Sequence, residues 1–259
     1  GSNAAATRVN ASGLIEKYRE NLLLHSNQFD TTWGGNASNR SITSGFSGYD
    51  GSNDAWKLEA VSDNNYSVVS QLVSSAGVET FSVYAKAGTS NAFRIQITGG
   101  VNTSASYFDL SGSGSVGVNF NNIDAKIESV GNGWFRCSVT GNKTTSSSCV
   151  IYVIDAEGST NVTTGANIYI QSAQLESGLV ATDVLTSGAT TAKAGVLVDL
   201  PRINYDANGE NGALLLEPSR QNLVTQSEVF DIDTAFIPSG RPSVEKNVII
   251  SPEGLQNAT

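Results

Sequence analysis

The sequence predicts an all-β protein built on an antiparallel β-sandwich of jelly-roll type, and three observations carry that expectation. Only 15% of the 259 residues are charged, against about 25% in an average domain, and Gly, Ser, Thr and Asn fill the difference. Such a mixture suits short strands joined by many turns and is poor for long helices. From residue 55 to residue 176, apolar or alternating runs recur at roughly 8–12-residue spacing with Gly/Asn/Ser punctuation. Within them, FSVYAKA and NIYIQSAQL alternate with period two, which puts one face in a core and the other in water.

In chain order, AWKLEAV (55–61), SVVSQLV (67–73), ETFSVYAKA (79–87), FRIQIT (93–98) and ASYFDL (105–110) read as strands. AKIESV (125–130), GWFRCSV (133–139), CVIYVID (149–155) and ANIYIQSAQLE (166–176) follow. The segments between them, SDNN, AGTSN, GGVNTS, SGSGSVG, GNG, GNKTTSSS and EGSTNVTTG, read as turns. Eight or more strands in one module favour two packed sheets. Upstream, SGLIEKYRENLLLH offers Ser12 as a cap and Leu14, Ile15, Tyr18 and Leu22 as an apolar stripe, so a helix competes with an extended segment there. The extended reading is preferred, because a matching stretch after Pro218, RQNLVTQ, has no helical pattern.

That match is part of an internal repeat. Arg19–Asp30 (RENLLLHSNQFD) aligns without a gap to Arg220–Asp231 (RQNLVTQSEVFD). After a slip of two residues, Trp33 meets Phe236 and GSNDA (51–55) meets GLQNA (254–258). Self-similarity at a long, nearly fixed spacing signals a duplicated unit. The expected organisation is a tag remnant and N-terminal connector over 1–18, a jelly-roll module over 19–180, an ordered connector over 181–218 and the start of a second module over 219–259. The connector holds a β-hairpin, VLVDLPRINYD then GALLLE. The opening GSNA and the lack of methionine are expected of a tagged fragment of a longer tandem protein.

A net charge of −9 without clustered Lys and Arg argues against nucleic acid as a partner. No run approaches the ~20 apolar residues of a membrane span, so no membrane insertion is expected. Cys137 and Cys149 are expected as buried thiols, with a disulfide across a hairpin as the alternative. His25, the single histidine, faces Gln226 in the repeat, which fits a plain polar role better than a Ser-His-Asp triad. Asp109, Asp155, Glu157 and Glu176 could pair for glycoside hydrolysis, yet acidic residues are frequent enough that such a pair is unremarkable. No enzyme is expected.

RENLLLHSNQFDTTW, ETFSVYAKAG, GNGWFRCSVTG and ANIYIQSAQLESGLVATDVLTSG, followed by PRINYDANGENGALLLEPSRQNLVTQSEVF, resemble modules repeated in bacteriophage tail-fibre and related virion proteins. Those modules are similar to jelly-roll, concanavalin-like carbohydrate-binding domains. The resemblance implies a non-enzymatic structural and attachment module of a phage tail protein, located in the virion. Its implied partners are a host-surface glycan, other tail subunits and further copies in a homo-oligomer. The alternative is a carbohydrate-binding module of a larger secreted glycan-degrading enzyme or bacterial adhesin at the cell surface.

Two candidate sites follow. A glycan needs aromatic faces flanked by polar groups. Trp33 and Tyr49 lie in loop-like surroundings with Asn36 and Arg40 between them, whereas Trp56, Phe81, Phe108, Trp134, Tyr152 and Tyr169 lie inside strands and are expected in the core. GYDGSND (48–54) sets Asp50, Asn53 and Asp54 within one turn, a donor set for a structural calcium ion. The competing reading of that loop is an Asx-turn whose side chains bond their own backbone. No other cofactor is expected.

Overall fold

The computed structural model describes residues 7–9, 12, 15–63, 66–99, 103–159, 161–195, 203–206, 208 and 210–214. The later repeat copy over 219–259 lies outside the described residues. The strands begin with β1 (Thr7–Val9), β2 (Ile15–Lys17), β3 (Arg19–Asn21), β4 (Arg40–Phe46), β5 (Ala55–Ala60) and β6 (Ser67–Val73). They continue with β7 (Gly77–Ala87), β8 (Ala92–Ile97), β9 (Ser104–Asp109), β10 (Ser115–Phe120), β11 (Asp124–Gly131) and β12 (Trp134–Lys143). Last come β13 (Ser147–Ile154), β14 (Asn167–Ser177), β15 (Ala192–Ala194), β16 (Ile203–Asn204) and β17 (Ala213–Leu214).

Two antiparallel sheets form the body. One has six strands in the order β11-β12-β7-β14-β5-β4, and the other has five in the order β10-β9-β8-β13-β6. The period-two pattern assigns their faces. Phe81, Val83 and Ala85 of β7, Phe135, Cys137 and Val139 of β12, and Ile168 and Ile170 of β14 meet Phe93, Ile95, Ile97, Phe108, Ile151 and Val153 of the opposite sheet in one core. All nine strands expected between residues 55 and 176 are present, and no helix occurs among the described residues. The stretch in which a helix competed holds β2 and β3.

Within the two main sheets, two strands escaped the sequence reading. β4 and β10 are edge strands in which no residue is buried, so neither carries the apolar alternation that marks a strand. SGSGSVG, expected as a turn, runs into β10. The two cysteines also differ from the hairpin expectation. Cys137 lies in the six-stranded sheet and Cys149 in the five-stranded one. Both are free and fully buried, and burial pushes both thiols well up.

The repeated stretch RENLLLHSNQFD is a clamp. β14 carries a bulge between Gln171 and Gln174, with Ser172 at φ 51°, and a bulge leaves backbone groups unpaired. The lead-in segment takes them up: Ala173 N donates to Ser26 O at 2.9 Å and Ser172 N to Asn27 Oδ1 at 2.8 Å. Asn21, fully buried, donates from Nδ2 to Ala173 O and Leu185 O and accepts from Leu23 N and Leu175 N. Leu23, Phe29 and Trp33 then enter the core. β3 pairs with β15, so the segments entering and leaving the sandwich are hydrogen-bonded to each other.

Candidate functional site

The sequence-predicted glycan residues do not share one surface. Trp33 is 4% exposed, packs on Phe29 with centroids 4.9 Å apart, and donates from Nε1 to His25 O at 3.1 Å. Its ring fills the core and offers no stacking face. Arg40 is half-buried and donates to Trp33 O at 3.3 Å, while Asn36 accepts from Ser38 Oγ at 2.7 Å. Tyr49 belongs elsewhere, in a cluster on the outer face of the six-stranded sheet with Tyr84, Trp134, Tyr169 and Phe46. It stacks on Tyr84 at 3.6 Å and 3°, and burial, reinforced by Tyr84, raises its phenol to about 12.

The acidic loop is tied into that same face. Ser52 N donates to Asp50 Oδ1 at 3.1 Å, the Asx-turn geometry. Gln171 Nε2 lies 3.2 Å from Asp50 Oδ1 and 2.6 Å from Asp54 Oδ1, and its Oε1 accepts from Tyr49 N at 2.9 Å. The Ser52 hydroxyl also touches both carboxylates. Asp50 and Asp54 are therefore brought together, with Asn53 exposed beside them. The Ser52 bonds, named first among the causes, hold the Asp50 carboxyl below its ordinary value.

The segment after β14 shields much of this face. Arg136 lies over the Tyr84 ring and donates to Thr182 O. Gln174 Oε1 accepts from Leu185 N at 2.7 Å, Glu176 accepts from Thr182, and Val184 packs on the Tyr84–Trp134 cluster. The six-stranded sheet thus spends its outer face on its own chain.

The outer face of the five-stranded sheet is different. Cross-strand register sets Tyr107 of β9 and Tyr152 of β13 on either side of Arg94 of β8. The Arg94 guanidinium lies 5.5 Å from the Tyr107 centroid, 5.0 Å from Tyr152 and 5.7 Å from Phe120 of β10. Phe120 meets Tyr107 edge-on at 5.8 Å, and Tyr66 meets Tyr152 edge-on at 6.3 Å. Phe120, Tyr107, Arg94, Tyr152 and Tyr66 therefore form one row across the strands. The Phe120–Arg94, Arg94–Tyr152 and Tyr152–Tyr66 separations bound the row at about 17 Å between its end centroids. Its ends are open, with Phe120 40% and Tyr66 47% exposed. Arg94 donates to Gln96 Oε1 at 2.5 Å, while its Nε is buried without an acceptor. Burial raises the Tyr152 phenol, and the Arg94 charge opposes that rise.

Tyr152, expected in the core, instead faces outward in this row. The sequence signal was present in FRIQIT, ASYFDL and CVIYVID, where Arg94, Tyr107 and Tyr152 all stand at non-core parity. Strand pairing was needed to show that the three positions are neighbours.

A cavity of about 430 Å³ opens beside the row, with Tyr107 common to both. It lies where β8 begins, β9 ends and β10 begins, and its lining includes Ser90, Ser115, Asp109, Asp155 and Glu157. Three of the four carboxylates noted in the sequence thus share one cavity. Glu176 is buried elsewhere, holding Thr182. Among the described residues no group of three acidic, cysteine or histidine side chains is placed to hold a metal ion.

No protein-family model and no curated protein matches the chain. Among solved structures it is similar to TmCBM61 in complex with beta-1,4-galactotriose, at 14% identity and TM-score 0.35, covering 60% of this chain and 97% of that one. It is also similar to the enzymatically active domain of bacteriophage CBA120 tailspike protein 4, at 13% identity and TM-score 0.36, over 62% of this chain. A third likeness is to the CBM22-1-GH10 modules of Clostridium thermocellum xylanase 10B complexed with xylohexaose, at 12% identity and TM-score 0.31, over 68% of this chain. The chain spans 21% of the tailspike domain and 30% of the xylanase modules. Likenesses this distant do not bear on ligand or activity.

Proposed function

We propose that this chain is a glycan-binding module whose site is the exposed part of the row, Phe120, Arg94, Tyr152 and Tyr66, with Tyr107, 4% exposed, as its buried support. The observation that carries the reading is the open-ended aromatic row centred on a guanidinium. Sugar C–H faces pack on aromatic surface while hydroxyls need fixed polar partners, and the half-buried Arg94, steadied by Gln96, supplies donors between the rings. Each guanidinium–ring contact contributes about 0.5–2 kcal/mol, so the row is held in place before a ligand arrives and little ordering cost remains.

The test is a glycan array followed by calorimetry with the best ligand. Arg94→Ala and Tyr152→Ala should each weaken binding at least tenfold while circular dichroism stays unchanged. Unaltered affinity in both variants sinks the row as the site. Recovery of intact oligosaccharide after long incubation supports binding, and shortened products would instead revive a glycosidase at the carboxylates.

The wider role we propose is attachment in a phage tail protein, supported by the internal repeat and by the motif resemblance. A module of a secreted enzyme or adhesin is the rival. The reading frame of the parent gene separates them, since tail genes alongside it favour the first and a hydrolase domain within it the second.

A further inference from the structure

We infer that the cavity beside the row selects a glycan whose terminal residue carries a protonated amine; this rests on the glycan-binding reading above. The cavity, at about 430 Å³, is of the size that takes a small organic ligand. Its wall is lined by Tyr107 and by the polar side chains of Asn91 and Ser115, which suits one sugar unit.

The charge of the lining then discriminates. Asp109, Asp155 and Glu157 face the space, and no Lys or Arg lines it. Each carboxylate spends one oxygen on a local donor: Asp109 Oδ1 accepts from Ser111 N at 2.8 Å, Asp155 Oδ2 from Thr163 Oγ1 at 2.6 Å, and Glu157 Oε1 from Val118 N. Glu157 reaches that amide because Gly117 has no side chain there; a Cβ would collide with its carboxylate. The second oxygen of each carboxylate takes no hydrogen bond from the described residues. Three uncompensated negative charges around a sugar-sized space repel uronic or sulfated units and favour an ammonium, whose N–H donors make charge-assisted bonds to carboxylates. The chain's net charge of −9 adds to the exclusion of anionic glycans at long range. Arg94, which lies over the Tyr107 ring, is already committed to the rings and Gln96.

The experiment compares two β-linked glucosamine oligosaccharides of equal length, one N-acetylated and one with free amines, by calorimetry at low salt and about pH 5.5, where the sugar amines are protonated and the carboxylates stay ionised. The amine form should bind about ten- to hundredfold tighter, with the preference shrinking as salt is added. Asp155→Asn/Glu157→Gln, two exposed positions, should erase the preference while leaving the melting temperature in place. Equal binding of the two, both abolished by Arg94→Ala, overturns the cavity inference and leaves the row standing. An amine preference that survives the double variant also overturns it. Binding of neither, with a neutral or acidic glycan found on the array, does the same. An array without any ligand removes both readings.

Discussion

Replacing Trp33 by alanine tests where the protein keeps its aromatic surface. The indole is 4% exposed, and a tryptophan of this kind buries about 150–250 Å². At about 25 cal/mol per Å² its burial is worth roughly 4–6 kcal/mol, an upper bound because unfolded chains already hide part of that area. Measured truncations of this type cost about 3–5 kcal/mol, and the lost Nε1 donor to His25 O falls within that range. For a domain of this size each kcal/mol lowers the midpoint by about 2–4 °C, so Trp33→Ala should melt roughly 6–20 °C lower. Thermal and urea unfolding, followed by the fluorescence of Trp56 and Trp134, measures it. Tyr152→Ala, on the sheet surface, should cost under about 2 kcal/mol yet weaken glycan binding. If Trp33→Ala instead folds with full stability and loses the ligand, its place in the core is wrong and the loop surface regains its claim.

Two further outcomes follow from buried groups. Cys137 and Cys149 are free, fully buried and pushed up in pKa, so a thiol reagent should leave the native protein unlabelled and modify both residues in urea; rapid native labelling would show that the sheets are not closed over them. The Tyr49 phenol is raised from 10.0 to about 12, which means the folded state favours its neutral form. The stability it contributes is complete below pH 10 and is lost as pH climbs towards 12. Tyr49→Phe, which keeps the stack on Tyr84, should therefore show a shallower alkaline loss of stability than the parent, and identical slopes would contradict the burial of this hydroxyl.

The sandwich was legible because its physics is local. Alternation in ETFSVYAKA and NIYIQSAQL assigns inner faces without knowledge of neighbours, and turn residues separate the runs. β4 and β10 were not legible, since an edge strand that buries little carries no pattern. Three of the six residues identical in the two repeat copies proved to be structural: Asn21, Ser26 and Phe29, matched by Asn222, Ser227 and Phe230, are fully buried in the clamp or the core. Trp33 belongs with them, and an aromatic at the matching position, Phe236, already pointed that way. The row was hidden for the opposite reason. Arg94, Tyr107 and Tyr152 are far apart in sequence and meet only through the registers of β8 with β9 and β13.

The two outer faces explain each other. On the six-stranded sheet, Gln174, Glu176 and Arg136 hold residues 182–185 against the surface, and Tyr49 closes over Tyr84. These polar groups are committed to the chain's own backbone, so a sugar would have to displace satisfied hydrogen bonds to reach them. Across the core, the polar and aromatic groups of the five-stranded sheet serve mainly one another, and the row's ends stay exposed. The bonds that fasten the lead-in fall on both sheets: Asn21, Ser26 and Asn27 bind β14, while Leu24 and Gly34 bind Gln71 and Ser70 of β6. On the five-stranded sheet those bonds fall on β6, its edge strand, whereas the Arg94 centre of the row lies on β8 in the middle of that sheet.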